Sequence, residues 1–534
     1  MPKQPVSVWI LGDQLLENHP ALQAAEREHG REQVHIVMIE SDERIHQLPY
    51  QRQKLVLLLS AMRHYADELR SSGYEVDYIC TSSFADGLKQ HLKQRHSTHL
   101  YTMAASEYDA RTIQEKHLES AIGVPTTLLP NSQFLVEQFN PHPETGSKHY
   151  IMENFYRQMR KHFNVLMDGP DEPAGGKWNY DAMNREPLPK KLDFPEKPSY
   201  KPDKITNEVI KLVEGMRHGV GNIQNFDLAV TRENANDALE RFVNERLREF
   251  GPYEDAMSSQ ESELFHSQLS LYVNIGLLDP MDMIRQAEKA YNDGSVPLNS
   301  AEGFIRQILG WREYMYWQYW QLMPDLKTTN TWGGKRAMPL MFWNGETEMN
   351  CVSHVSKRVL ETGYSNHIER LMIVCNFCLL AGIRPYDVAE WFLACYFDAY
   401  DWVVLPNVIG MGLNADGGRI ATKPYISSAN YINKMSNYCS ECHYSPKERT
   451  GEKACPYNLL YWDFLAQNEE LLRSNPRLGP NVLGLRNISE QERKAIHQQA
   501  VAFLDHLKYY EGKAKDETLQ QYAEVKTTSR ARKR

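Results

Sequence analysis

Residues 419–464 read RIATKPYISSANYINKMSNYCSECHYSPKERTGEKACPYNLLYWDF and hold Cys439, Cys442 and Cys455 in a C-x2-C-x12-C-P spacing. Two thiolates three residues apart, joined by a third after a short loop, can clasp one metal centre, which then takes a fourth ligand. Cys375, Cys378 and Cys395 lie in apolar runs. Cys351, in ETEMNCVSHVSK, is flanked by polar residues and is the expected fourth ligand. Four thiolates suit zinc or an iron–sulfur cluster about equally. Proline directly after the last cysteine tilts the reading toward iron.

Working outward, 534 residues leave room for two to four domains. A formal net charge of −9 argues against attraction of the whole molecule to nucleic acid but allows a local basic cleft. Eight cysteines with no secretory leader fit a reducing cytosol and metal ligation better than disulfides. The opening MPKQPVSVWILGDQL has an apolar run too short for a membrane span. Ten tryptophans and 29 tyrosines suit packing around a flat group, or a large core.

Residues 1–135 read as α/β. Apolar runs at 6–11, 34–39, 75–80 and 98–102 predict buried strands, and a helical pattern over 51–70 ends before Gly73. Strand–helix alternation predicts a Rossmann-like, mostly parallel sheet whose ligands sit at the carboxyl ends of the strands. Gly12, Asp13 and Gln14 follow the first strand and Glu40 follows the second. The chain has no G-x-G-x-x-G.

Residues 136–205 form an interdomain linker. The stretch 168–202 is rich in proline and charge, and an amphipathic helix precedes it with Arg157, Arg160 and Lys161 set apart from its aromatics. From 206 to 510 the pattern is all-helical, with apolar residues three and four apart and glycine stops. The stripe Trp311, Tyr314, Tyr316, Trp317, Tyr319 and Trp320 reads as core. Ser267 and Ser270 fall before or within the first turn of a helix, where hydroxyls and free amides can hold a diphosphate or simply cap the helix. Asn366 and Arg370 share a helical face, with His367 pointing elsewhere. The basic tail 511–534 is expected to be disordered.

KPYISSANYINKMSNYC, followed by C-x2-C and CPYNLLYW, resembles the signature of the iron–sulfur bacterial cryptochromes and photolyases. Further motifs match in order along nearly the whole chain. The resemblance implies FAD, a [4Fe–4S] cluster on Cys351, Cys439, Cys442 and Cys455, and an antenna such as 6,7-dimethyl-8-ribityllumazine near Glu40, Gly12 and Asp13. It implies a flavin shell of Ser267, Leu269, Ser270, Trp311, Arg312, Arg370, Asp398, Asp401 and Asn407. Trp391 and Trp343 match the electron relay. Tyr425, Tyr431 and Lys423 match the lesion-binding positions, and Arg419, Lys434 and Arg358 could hold phosphates around them. The implied activity is light-driven repair of (6-4) photoproducts in ultraviolet-damaged DNA by a cytoplasmic monomer, with photoreception or cyclobutane-dimer repair as alternatives. Members that repair (6-4) lesions show two adjacent histidines where this chain has Asn366 then His367. His367 is therefore the expected proton donor, with Asn366 beside it in the catalytic pair.

Overall fold

The computed structural model describes residues 4–143, 150–189, 191–473 and 482–510. Five parallel strands form its one sheet among the described residues: β1 (Val6–Trp9), β2 (Val34–Ser41), β3 (Glu75–Thr81), β4 (Leu100–Met103) and β5 (Thr126–Leu129). Their order is β3-β2-β1-β4-β5. Alternation along each strand divides the core in two. Val8, Ile36 and Met38 pack with Leu55, Val56 and Leu59 of the helix Arg52–Ser71. Trp9, Val37 and Ile39 pack with Leu88 of the helix Phe84–Arg95 and with Leu118. Helices thus cover both faces, as the alternation predicted. β5 was not predicted from the sequence: TTLL is four half-buried residues at a sheet edge, too short and too polar to stand out.

The second half is helical as expected. Predicted segments appear as Lys204–Glu214, Arg232–Phe250, Pro280–Asn292 and Leu298–Leu322, the second and fourth carrying π-helical turns at Phe242–Arg246 and Arg306–Arg312. Tyr314, Tyr316, Trp317 and Tyr319 are buried, which confirms core for most of the aromatic stripe. Among the described residues no helix is long and apolar enough to cross a membrane.

The linker is laid against its preceding helix, Met152–Phe163. Arg160 is buried and donates to the carbonyls of Val165 and Trp178 at 3.1 and 3.2 Å. Arg157, Arg160 and Lys161 all lie within 5.2–5.6 Å of the Trp178 ring. The cationic side expected to face solvent is therefore partly covered by the linker itself.

Main-chain bonds join the two halves. Leu15 N–H donates to the Ile275 carbonyl at 2.8 Å and Gln51 N–H to that of Ala394 at 2.7 Å. Gly276 has φ +83°, and a Cβ there would stand 3.0 Å from the Leu15 nitrogen, so only glycine permits this approach. The tail from 511 onward lies outside the described residues.

Candidate active site and cysteine centre

The cysteine centre is assembled from two distant segments. Cys351 lies in the first turn of the helix Asn350–Thr362. Cys439 sits in the turn Tyr438–Glu441, Cys442 follows it, and Cys455 precedes the helix Pro456–Gln467 as its cap residue. A bond of 2.9 Å from the Asn350 amide to the Tyr438 carbonyl holds the segments together. All four cysteines border one small pocket, with Met349, Ile432 and Tyr457 among its apolar walls. Burial pushes the Cys439 thiol up to about 11 and that of Cys455 up to about 12, and raises Cys351 well above its ordinary value, with the neighbouring sulfurs adding to the effect in each case. Thiolates here need a cation to balance them. Among the described residues, no three His, Cys, Asp or Glu side chains stand close enough together to hold a metal as they are placed.

The second element is the turn that carries His367. Asn366 is 1% exposed. Its Oδ1 accepts from Glu369 N–H at 2.9 Å while Glu369 Oε2 accepts from Asn366 N–H at 3.3 Å, which makes a capping box. Its Nδ2 donates to the Ala256 carbonyl at 3.2 Å. Asn366 is thus not a member of an exposed catalytic pair: it is buried and starts the helical turn on which His367 stands. Glu369 gathers three more bonds. Arg358 donates to its two oxygens at 2.8 and 3.0 Å and to the Ser258 carbonyl at 2.7 Å. Tyr438, the residue before Cys439, donates to Glu369 Oε1 at 2.5 Å. This corrects the expectation for Arg358, which is committed to a buried carboxylate and cannot meet a phosphate.

His367 is 49% exposed, with Nε2 3.4 Å from Asp255 Oδ1. Burial opposes its positive form, but the hydrogen bond and charge of Asp255, with Glu254 behind, outweigh it and raise the imidazole above its ordinary value. Tyr431 donates to the other Asp255 oxygen at 3.3 Å. Burial pushes the Glu254 carboxyl up to about 7; its oxygens accept from Gln307 and Asn184 at 2.7 and 3.4 Å. The His266 ring meets that of His367 edge-on at 5.7 Å, and burial drives its imidazole down to about 4. Of this pair, His367 is therefore the imidazole that keeps its proton to higher pH. Tyr425 is half-buried with the Lys423 ammonium 5.6 Å from its ring. Arg419 and Lys434 are exposed near by in sequence, which keeps them free to meet a polyanion. The acidic pair Glu254–Asp255 was missed in the sequence. Its signal was two adjacent carboxylates in GPYEDAMSS, just after a helix stop.

The proposed flavin shell divides. Ser270 opens the short helix Ser270–Asn274, and its hydroxyl donates to Asp398 Oδ2 at 2.8 Å. Arg370 forms a fork on Asp398 at 3.0 and 3.2 Å and lies 4.2 Å from the Tyr396 ring. Ser267 accepts from Leu269 N–H at 3.3 Å, which fixes the approach to that helix. Ser267, Leu269, Ser270, Arg370 and Asp398 therefore come together. Arg312 stands elsewhere, paired with Glu313 at 2.6 Å and 4.4 Å from the Phe134 ring; its buried Nε and one Nη have no partner among the described residues. Trp311 is half-buried beside Tyr314. Asp401 faces the sheet domain: its N–H donates to Glu107 at 3.0 Å, and burial followed by the Glu107 charge pushes its carboxyl up to about 6. Asn407 donates to the Val403 carbonyl at 2.8 Å within a π-helical turn.

Trp391 is fully buried, and its Nε1–H donates to the Phe342 carbonyl at 3.2 Å. Trp343 is the next residue. The antenna candidates share no partner among the described contacts. Glu40 is held by Arg63 at 2.8 and 3.1 Å and by the Tyr78 hydroxyl at 2.5 Å. Asp13 accepts from Ser106 at 2.9 Å; burial and then Glu107 push its carboxyl up to about 6. Gly12 is closed off by Met62, whose sulfur would lie 2.7 Å from a Cβ.

Residues 8–228 match the family described as deoxyribodipyrimidine photo-lyase-related protein. A (6-4) photolyase of Agrobacterium fabrum is 43% identical over 509 residues, 93% of this chain and 98% of that protein. In fold, the chain is similar to a bacterial class III photolyase from Agrobacterium tumefaciens, with TM-score 0.55, 17% identity, and coverage of 99% of this chain and 98% of that one. It is also similar to a Synechocystis cryptochrome, with TM-score 0.59, 14% identity, and coverage of 95% and 100%. The near-complete match at 43% identity decides the matter: the chain belongs to the cryptochrome–photolyase family, alongside the bacterial (6-4) photolyases.

Proposed function

We propose that this protein is a (6-4) DNA photolyase, which uses light to reverse (6-4) photoproducts in ultraviolet-damaged DNA. The observation that carries the reading is the 43% identity with a (6-4) photolyase over nearly both chains. The Asp255-paired His367 supports it by supplying the acid that the reaction needs. Reduced FAD, when bound, supplies the photoexcited electron for the lesion. The chain's own residues do the rest. Ser270, Asp398 and Arg370 form a polar set fit to hold the cofactor. The orphaned nitrogens of Arg312 offer donors to an anionic group. An extruded dinucleotide gives up its stacking, and Tyr425 and Tyr431 return part of it through their rings. Lys423, Arg419 and Lys434 would hold the flanking phosphates. His367 gives a proton to the lesion as oxygen returns to its original ring, and Asp255 holds that proton on the imidazole to higher pH than an unpaired histidine would keep it. Asn366 positions His367 and transfers no proton.

Cys351, Cys439, Cys442 and Cys455 would hold a [4Fe–4S] cluster. The meeting of all four at one pocket supports a shared metal centre, and the proline directly after Cys455 favours iron over zinc. Of the residues expected around a lumazine, Glu40 is committed to Arg63 and Tyr78, and Gly12 is packed against Met62.

Illumination of the reduced, flavin-loaded protein with oligonucleotides carrying either a (6-4) product or a cyclobutane dimer tests the assignment. Recovery of intact bases from the (6-4) strand alone is expected. Failure with both lesions would overturn it in favour of photoreception.

A further inference from the structure

Residues 194–197 of the linker are fastened to one loop of the helical half. The Phe194 ring packs on that of Phe265 at 5.4 Å, and Phe265 stacks in turn on Tyr253 at 5.7 Å. The Pro195 carbonyl accepts from the Arg246 guanidinium at 2.9 Å, and the same guanidinium donates to the Leu264 carbonyl at 3.2 Å. Lys197 donates to Asp227 at 2.9 Å and lies 3.8 Å from one oxygen of Glu263. Arg246, which is buried, stands 3.5 Å from the other. Glu263 also takes a hydrogen bond from the Gln268 side chain. The linker therefore grips loop 263–268 through an aromatic contact, a shared guanidinium and a shared carboxylate.

The loop needs such a grip. Leu264 and Gln268 both hold left-handed backbone, with φ of 50° and 53°. Residues with a Cβ avoid this region, and they stay in it only where the surroundings impose it. The Leu264 carbonyl is the one that Arg246 holds, and Gln268 is tied to Glu263. His266 fixes the middle of the loop to the Glu254 carbonyl at 3.0 Å, which leaves the strained positions on either side to these other contacts. Gln268 lies between Ser267 and Leu269, directly ahead of Ser270, whose hydroxyl donates to Asp398 at 2.8 Å. A loop released at 194–197 would relax at Leu264 and Gln268 and carry Ser267 with it.

We infer that Phe194 and Lys197 are positioning residues for the flavin: they hold loop 263–268 in the strained form that presents Ser267 and Ser270 to the cofactor. They act through the loop and touch no reacting atom. The inference rests on the flavin reading above, and it gives the interdomain linker a part in retaining the cofactor. Flavin then leaves when the grip at 194–197 opens, so its residence time is set by side chains of the linker as well as by the polar set around Asp398.

The test is the rate of FAD release from the loaded protein, followed by the rise of free-flavin fluorescence on dilution, together with hydrogen exchange of the amides at 264–269. Phe194→Ala and Lys197→Met should each release FAD several-fold faster and speed exchange at 264–269, while the helix Pro280–Asn292 exchanges as before. Lys197→Arg keeps the charge and should restore both. Lys161→Met, which frees the earlier part of the linker from Lys161 at Asp171, should change neither. Unchanged FAD release in Phe194→Ala and Lys197→Met, or faster exchange spread over the whole helical half, would overturn the inference. A protein that binds no flavin defeats the functional reading, while exchange at 264–269 in that same protein still decides whether Phe194 and Lys197 hold the loop.

Discussion

Asn366→Ala removes a helix cap and one partner of a buried carbonyl together. The cap interaction contributes about 1 kcal/mol. Leaving the Ala256 carbonyl unpaired costs roughly another 1–2 kcal/mol. Because the two bonds share one side chain, about 2 kcal/mol is the reasonable expectation rather than the full sum. In a chain of 534 residues a single global unfolding energy is a poor measure. Hydrogen exchange of the amides at 367–372 reads the affected turn directly. About 2 kcal/mol corresponds to roughly thirtyfold faster exchange there. Asn366→Ser retains an acceptor for Glu369 N–H and should recover about half of the loss. Asn366→His should be destabilised as well and gain no repair, because this position is buried beneath Ala256 rather than open to the cleft. Unchanged exchange in Asn366→Ala, combined with lost repair, would refute this account and return Asn366 to direct contact with the lesion.

Other consequences follow for the surrounding groups. The Asp255 charge raises the His367 imidazole, so protonated His367 is available below that raised value and lost as pH climbs through it. Asp255→Asn should therefore move the alkaline limb of the repair profile to lower pH, while flavin absorption stays constant. Arg358→Met strands Glu369 without its cation and should cost about 3–5 kcal/mol, read as lower soluble yield and denaturant resistance. Cys351→Ser should lower bound iron and acid-labile sulfide together, while Cys80→Ser changes neither. Stoichiometric zinc without sulfide in the native protein would exclude the cluster.

Much of the fold could be read from periodicity, because buried parallel strands such as VHIVMI are continuous apolar runs and the helices carry clear stops. β5 escaped notice because an edge strand of four half-buried residues lacks that signal. Spacing and flanking polarity were enough to bring the remote Cys351 to the same pocket as Cys439, Cys442 and Cys455. The cleft was legible only in part. His367 stood out as a titratable side chain, but its partner Asp255 is over a hundred positions away in an irregular loop. Asn366 and Arg358 were read by residue type alone, and their side chains face inward. Burial of a polar side chain depends on which distant carbonyl or carboxylate meets it, and that is decided by tertiary packing.

Glu369 joins two regions that chemistry alone would treat separately. Arg358 reaches it from the helix that begins beside Cys351, and Tyr438 reaches it from the residue before Cys439. Both arms of the cysteine centre thus end on the carboxylate that completes the cap beneath His367. Such a joint transmits position and does not grade it. A preparation only partly filled at the cysteines should consist of two populations, one with a correctly aimed imidazole and one without. Single-turnover repair would then show a fast phase whose amplitude follows iron content, at a rate that does not.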